Sequence, residues 1–136
     1  SYDIPHEDVV FQTGKWDILP SEEPKLERAW EDLERVHTKY GAVVQTQLFV
    51  AGYTDTVGGA SSNQTLSEHR ARAIASWFRA RGFTDPIWYQ GFGEQVLAVV
   101  TPDETDEARN RRALYLVAAE RPPRSDDLPH ENWTRL

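Results

Sequence analysis

An arginine occupies a position where helical periodicity calls for an apolar residue. If Leu66 is set at zero and each residue advances by about 100°, one side of the predicted helix becomes an apolar arc, and Arg70 falls inside it. The apolar members of that arc are Leu66, Ala73, Ile74, Trp77 and Phe78. A guanidinium does not lose its charge, and burying it without a partner is expensive. We therefore expect Arg70 to reach the rim of the helix or to meet a carboxylate.

The nearest candidate carboxylate is Asp55, in the loop before this helix. That loop follows a predicted strand, and ligand clefts in open α/β sheets form at the carboxyl ends of strands. Asp55 and Arg70 together would suit a zwitterionic ligand, whose ammonium the carboxylate holds and whose carboxylate the guanidinium binds. Alternatively, the two residues form an internal salt bridge, or Asp55 caps a turn. Asn63 is predicted to be the N-cap of the helix.

The composition argues against several classes of function. A net charge of −7 disfavours binding to nucleic acid or to an anionic membrane surface. The longest apolar run, residues 96–100, is far shorter than the roughly 20 residues of a membrane span. Cysteine is absent, the histidines are scattered, and the sequence has no HExxH, GxSxG or P-loop motif. We therefore expect no enzyme activity, no cofactor, no metal site and no insertion of this segment into a membrane.

Short apolar runs alternate with amphipathic stretches, which predicts an α/β fold (an α+β sandwich) in the order β-α-β-α-β-β. Its mixed four-stranded sheet should carry the helices on one face. The predicted strands are residues 9–11, 43–51, 87–92 and 111–119, and the predicted helices are residues 22–40, ending at Gly41, and 63–81. The domain is expected to span residues 1–120. Residues 121–136, rich in proline and charge, are predicted to be a tail that is either docked by Trp133 or disordered.

Four motifs follow one another along the chain. They are G-Y-T-D-T-V-G at residues 52–58, N-Q-T-L-S-E-H-R-A at residues 63–71, G-F-G-E at residues 91–94 and N-R-R at residues 110–112. Together they resemble the OmpA-like C-terminal domain family, which includes the tail of outer-membrane protein A, the peptidoglycan-associated lipoprotein and MotB. The first two are similar to the family pattern G-H-T-D-x-x-G followed by N-x-x-L-S-x-x-R-A, with the same spacing. The resemblance covers about residues 9–118.

The resemblance implies a periplasmic domain that binds the peptide stem of peptidoglycan, chiefly through diaminopimelate, and anchors an envelope protein to the wall. Carried over by position, Asp55 would hold the ammonium and Arg70 the carboxylate, while Asn63, Leu66 and Arg112 would line the same groove. Arg112 has an alternative interpretation as a surface charge at the start of a strand.

The alternative function is a protein–protein interaction module of the envelope on the same fold, without wall binding. The sequence departs from the family where Tyr53 replaces the usual histidine, which leaves the exact ligand preference open. The acidic segment of residues 103–107 is expected to be a solvated face.

Overall fold

The computed structural model describes residues 8–40 and 46–136, and its elements follow the predicted order with one strand added. The strands are β1 (Val9–Val10), β2 (Gln47–Gly52), β3 (Ile87–Gly91), β4 (Arg112–Ala118) and β5 (Thr134–Arg135). The helices are α1 (Glu23–Tyr40) and α2 (Ala60–Arg81), and a short 3-10 helix spans Ala108–Asn110. The predicted cap at Gly41 and the first residues of the predicted 43–51 strand lie outside the described residues.

The strands form one mixed sheet in the order β1-β4-β2-β3-β5. Strands β2 and β3 are parallel and are connected through α2, whereas the other neighbouring pairs are antiparallel. The fold class is as predicted, but the sheet has five strands instead of four. The fifth comes from the segment predicted to be a tail. A two-residue polar strand carries no alternation of apolar side chains, so periodicity does not detect it.

Both helices pack on one face of the sheet, as predicted. Alternation along β2 sends Leu48 and Val50 to the helix face and Phe49 and Ala51 to the other. The main core lies under the helices, where residues of α1 and α2 meet those strand residues; its helical members include Leu26, Ala29, Leu33, Ala71, Ile74 and Phe78.

The opposite face of the sheet is covered by the C-terminal segment. Leu128 is buried there in a second apolar cluster, and Trp133 packs edge-on against Phe49, with ring centroids 5.2 Å apart. The other buried members of this cluster are Ala51, Tyr53, Phe92 and Leu114. Of the two states predicted for the tail, the docked one is observed.

Two glycines that face each other in the sheet let α2 lie directly on it. Gly52 of β2 is paired with Gly91 of β3. A Cβ added to Gly52 would lie 2.0 Å from the backbone oxygen of Ser67, and one added to Gly91 would lie 2.4 Å from the Ser67 hydroxyl. The contact holds the first half of α2 across the carboxyl ends of both strands, beside the loop that contains Asp55.

Candidate functional site

Asp55 lies buried in the loop that leaves β2, with 4% of its surface exposed. One carboxylate oxygen accepts a hydrogen bond from the backbone N–H of Val57 at 3.2 Å. The other accepts from the backbone N–H of Glu107 at 3.3 Å and from Nη1 of Arg111 at 3.0 Å. A buried carboxylate is costly unless its oxygens accept hydrogen bonds, and here a guanidinium and two backbone amides donate them.

Arg111 is the cation that pairs with Asp55. Its Nη1 also meets the carboxylate of Asp106, and its Nε donates to the carbonyl of Phe11 at 2.9 Å. The side chain is 12% exposed, so it is reachable from solvent. Arg111 was not among the predicted site residues, which instead included its neighbour Arg112 from the same N-R-R motif. Adjacent residues at the start of a strand point to opposite faces, and the motif alone does not say which of the two faces the loop.

Arg70 is fully buried in α2, as the helical periodicity predicts. However, it neither reaches the rim nor forms the expected bridge to Asp55. Its guanidinium instead donates to three backbone carbonyls: Lys15 at 2.8 Å from Nε, Tyr53 at 3.0 Å from Nη1 and Gln12 at 3.0 Å from Nη2. Burial lowers the pKa of Arg70 to about 10, against the opposing field of Asp55. The side chain is therefore still a cation at neutral pH, and Asp55 is close enough to act on it.

Asn63 lies against the Asp55 loop, although it is not the helix cap that was predicted. Helix α2 begins three residues earlier, at Ala60, with Gly59 as its N-cap and no side-chain capping bond. The Asn63 amide is buried and donates towards three oxygens: the carbonyls of Asp55 at 3.3 Å and Val57 at 3.0 Å, and the Glu94 carboxylate at 3.0 Å. It therefore shapes the loop from within.

The structure separates Arg112 from Asp55. The Arg112 guanidinium lies 4.2 Å above the centre of the Tyr53 ring and meets the carboxylates of Asp8 at 3.3 Å and Asp127 at 3.2 Å. Its Nε is buried without a hydrogen-bond partner. The alternative interpretation of Arg112 as a surface charge does not fit a buried side chain. The remaining candidate, Leu66, is half-buried on α2.

The substitution at Tyr53 is explained by the docked C-terminal segment. Tyr53 stacks on Phe92, with ring centroids 5.5 Å apart, and its hydroxyl donates to the carbonyl of Asp127 at 2.6 Å. Burial is the main cause that raises the pKa of Tyr53 well above its ordinary value. The phenol stays protonated and works as a donor to the tail.

The acidic segment of residues 103–107 is not only a solvated face. The backbone N–H of Glu104 donates to the carbonyl of Thr56 at 3.0 Å, and the N–H of Thr105 donates to the Thr56 hydroxyl at 2.9 Å. Hydrogen bonds from Arg109 lower the pKa of Glu107 to about 2. The segment also contacts Asp55 through the Glu107 N–H and Arg111 through the Asp106 carboxylate, so it belongs to the site.

The part of the chain that the structure describes contains neither a metal-binding cluster nor a membrane-spanning helix. Within residues 8–40 and 46–136, no group of three or more His, Cys, Asp or Glu side chains is arranged to hold a metal ion. In the same part of the chain, neither helix is long and apolar enough to cross a membrane.

Fold and motifs together define a class of protein, and comparison with known proteins names it. Residues 10–112 match the model of the OmpA family, so the chain belongs to that family, and the resemblance seen in its motifs is confirmed. Outer membrane protein A of Escherichia fergusonii is 33% identical over 108 residues, which are 79% of this chain and 42% of that protein. Outer membrane protein P5 of Haemophilus influenzae is 31% identical over 113 residues, 82% of this chain and 29% of that protein. The chain thus spans less than half the length of these relatives.

Solved structures share the fold at lower sequence identity. The peptidoglycan-associated lipoprotein from Burkholderia pseudomallei superposes with a TM-score of 0.68 at 21% identity, covering 82% of this chain and 89% of that one. The cell wall anchor of the T6SS from Pseudomonas aeruginosa gives a TM-score of 0.62 at 23% identity, covering 82% and 76%. At these identities the likeness establishes the fold alone.

Proposed function

We propose that this domain binds peptidoglycan non-covalently, without catalysis, through the diaminopimelate of its peptide stem, and thereby anchors a periplasmic envelope protein to the wall. One observation carries the proposal. A buried carboxylate, Asp55, follows β2 and is paired with a partly exposed guanidinium, Arg111, while its field raises the pKa of a second, buried guanidinium, Arg70, against the larger effect of burial. Two structural neighbours, a peptidoglycan-associated lipoprotein and a cell wall anchor, support a role in attachment to the wall.

The charges fit the end of a diaminopimelate side chain, which bears an ammonium and a carboxylate on one carbon. Asp55 would take the ammonium. Arg70 keeps two of its five N–H groups beyond the three bonds to carbonyls, but the turn of residues 12–15 covers it. Arg111 is the more accessible partner for the carboxylate. We infer that Arg111 makes the first contact with the ligand carboxylate. Arg70 adds a second contact when the turn of residues 12–15 moves away from it.

A second candidate function is a protein-interaction module whose charged pocket is closed by its own chain. The observation that favours it is the segment after Gly93, which supplies Glu107 and Asp106 to the Asp55–Arg111 pair. In that case the pocket would be a structural bridge, and no wall fragment would bind.

Co-sedimentation with purified sacculi separates the two. We expect wild type to pellet with sacculi of the diaminopimelate type and not with those of the lysine type, whose stem lacks the second carboxylate. Asp55→Asn should weaken binding by about tenfold or more, because one charge-assisted contact is lost. Asp126→Asn, exposed in the C-terminal segment and outside the site, is the matched control and should bind like wild type. Wild type that stays in solution with both wall types would overturn the proposal.

A further inference from the structure

Trp16 presents an open aromatic surface beside the site. It is 45% exposed, and only one other large apolar side chain, Val100, is exposed among the side chains of residues 8–39 and 46–136. The indole stacks on the imidazole of His69, with centroids 4.4 Å apart and ring planes inclined by 19°. His69 covers one face of the indole, so the exposed fraction belongs largely to the opposite face.

The same turn that covers Arg70 holds this surface in place. The carbonyls of Gln12 and Lys15 both accept from the Arg70 guanidinium, and the N–H of Lys15 donates to the carbonyl of Gln12 at 3.1 Å. Trp16 follows Lys15 directly, and His69 directly precedes Arg70 on α2. The platform is therefore fixed on both sides to Arg70, on the solvent side of the turn.

An open indole face accepts flat partners: a nucleobase, an aromatic side chain or the apolar face of a pyranose ring. The net charge of −7 disfavours a nucleic acid. In peptidoglycan the peptide stem is covalently attached to an amino sugar, so a ligand whose stem reaches Arg70 and Arg111 carries a pyranose ring at its other end. The ring has C–H groups on one face and polar groups at its edge, a combination that an exposed tryptophan suits.

We propose that Trp16, stacked on His69, binds a pyranose ring of the glycan strand with its open face, so that the domain binds sugar as well as peptide. The inference rests on the proposed function. It extends the site from a pocket for one charged group to a surface that binds two chemically different parts of the wall.

Isothermal titration calorimetry with two soluble fragments tests this. One is a diaminopimelate-containing stem peptide, and the other is the same peptide on its disaccharide. Trp16→Ala should lower the affinity for the disaccharide-peptide by about three- to tenfold, the size of a good aromatic contact, and leave the affinity for the free peptide unchanged. Trp16→Phe should fall between. Trp88→Phe, in β3, is the matched tryptophan control, and circular dichroism checks the fold of each variant.

The outcomes separate this proposal from the proposed function. If wild type binds both fragments equally and Trp16→Ala changes neither, the sugar platform is wrong while peptide binding stands. If Trp16→Ala weakens both fragments alike, Trp16 acts through the turn over Arg70 and not on the sugar. If wild type binds neither fragment, both proposals fail together.

Discussion

Arg70 shows how a fold buries a cation without giving it a carboxylate. Its three acceptors are backbone carbonyls of Gln12, Lys15 and Tyr53, two from the turn after β1 and one from the residue that follows β2. The planar fork of a guanidinium suits three acceptors in separate directions, which a single ammonium does not match. The residue therefore ties two distant segments to α2 while remaining next to the proposed ligand pocket.

The substitution Arg70→Lys should lower the free energy of unfolding by roughly 3 kcal/mol, because at least one buried carbonyl loses its donor and the ammonium is left poorly solvated. Urea unfolding followed by circular dichroism measures the change. Arg72→Lys, exposed on the same helix, should shift stability by less than about 0.5 kcal/mol. Equal midpoints for the two variants would show that the three carbonyl bonds do not stabilise the fold.

At the scale of single residues, the sequence predicted the burial of Arg70 but not its hydrogen-bond partners. Periodicity alone placed Arg70 on the apolar arc, because the phase of a helix is set by many residues at once. The partners come from irregular turns, whose backbone carbonyls leave no pattern of side-chain types. Whether Arg111 or Arg112 points to the Asp55 loop depends on the face of the sheet that each side chain takes. A shift of the strand by one residue exchanges the two faces, and the sequence does not fix the strand that closely.

At the scale of elements, the seating of α2 on β2 and β3 determines where the site lies. Ser67 approaches both Gly52 and Gly91 so closely that neither position has room for a Cβ. The helix is thereby fixed across the strand ends, with Asn63 directed into the Asp55 loop and Arg70 towards the turn after β1.

Gly52→Ala should destabilise the domain by about 2 kcal/mol or more, because the added methyl meets a backbone oxygen of α2 that moves only if the helix moves. It should also weaken sacculus binding, since the helix carries two site residues. Gly59→Ala is the control: no atom lies within 4 Å of its added Cβ, so its cost should stay within about 1 kcal/mol. Thermal unfolding of both variants checks this, and equal losses would argue against a special seating at Gly52.

The helices and strands that carry a clear pattern of apolar residues were predicted, and strand β5, which carries none, was not. Both helices and four strands follow from apolar spacing, but α2 starts at Ala60 and not at Asn63. The residues between Gly58 and Asn63 are small and polar, and their composition suits a loop as well as a first helical turn. Strand β5 forms because the C-terminal segment pairs with the edge of β3. This pairing depends on tertiary structure and not on the local sequence, so periodicity does not predict it.

The whole molecule is a sheet covered on both faces, by helices on one and by the C-terminal segment on the other. Leu128 and Trp133 shield the second apolar cluster, and Asp127 joins Tyr53 and Arg112 to the tail. The tyrosine at position 53, which departs from the family pattern, is matched to this covering. Tyr53, which contacts the C-terminal segment, and Asp55, which belongs to the charged pocket, both follow β2, so the end of one strand positions both.

The net charge gives the proposed wall binding a characteristic dependence on salt. The protein carries −7, and a stem with diaminopimelate has more carboxylates than ammonium groups, so the two repel each other at long range. Raising the salt from about 10 to 150 mM shortens the screening length from roughly 30 to 8 Å and removes most of that repulsion. The contacts of Asp55 and Arg111 are short and largely buried, so they are screened much less. Binding to sacculi should therefore stay constant or increase as salt rises, measured as pelleted protein at fixed sacculus concentration. A steep decrease would instead identify non-specific attraction between exposed charges, and the buried pocket would not be the source of affinity.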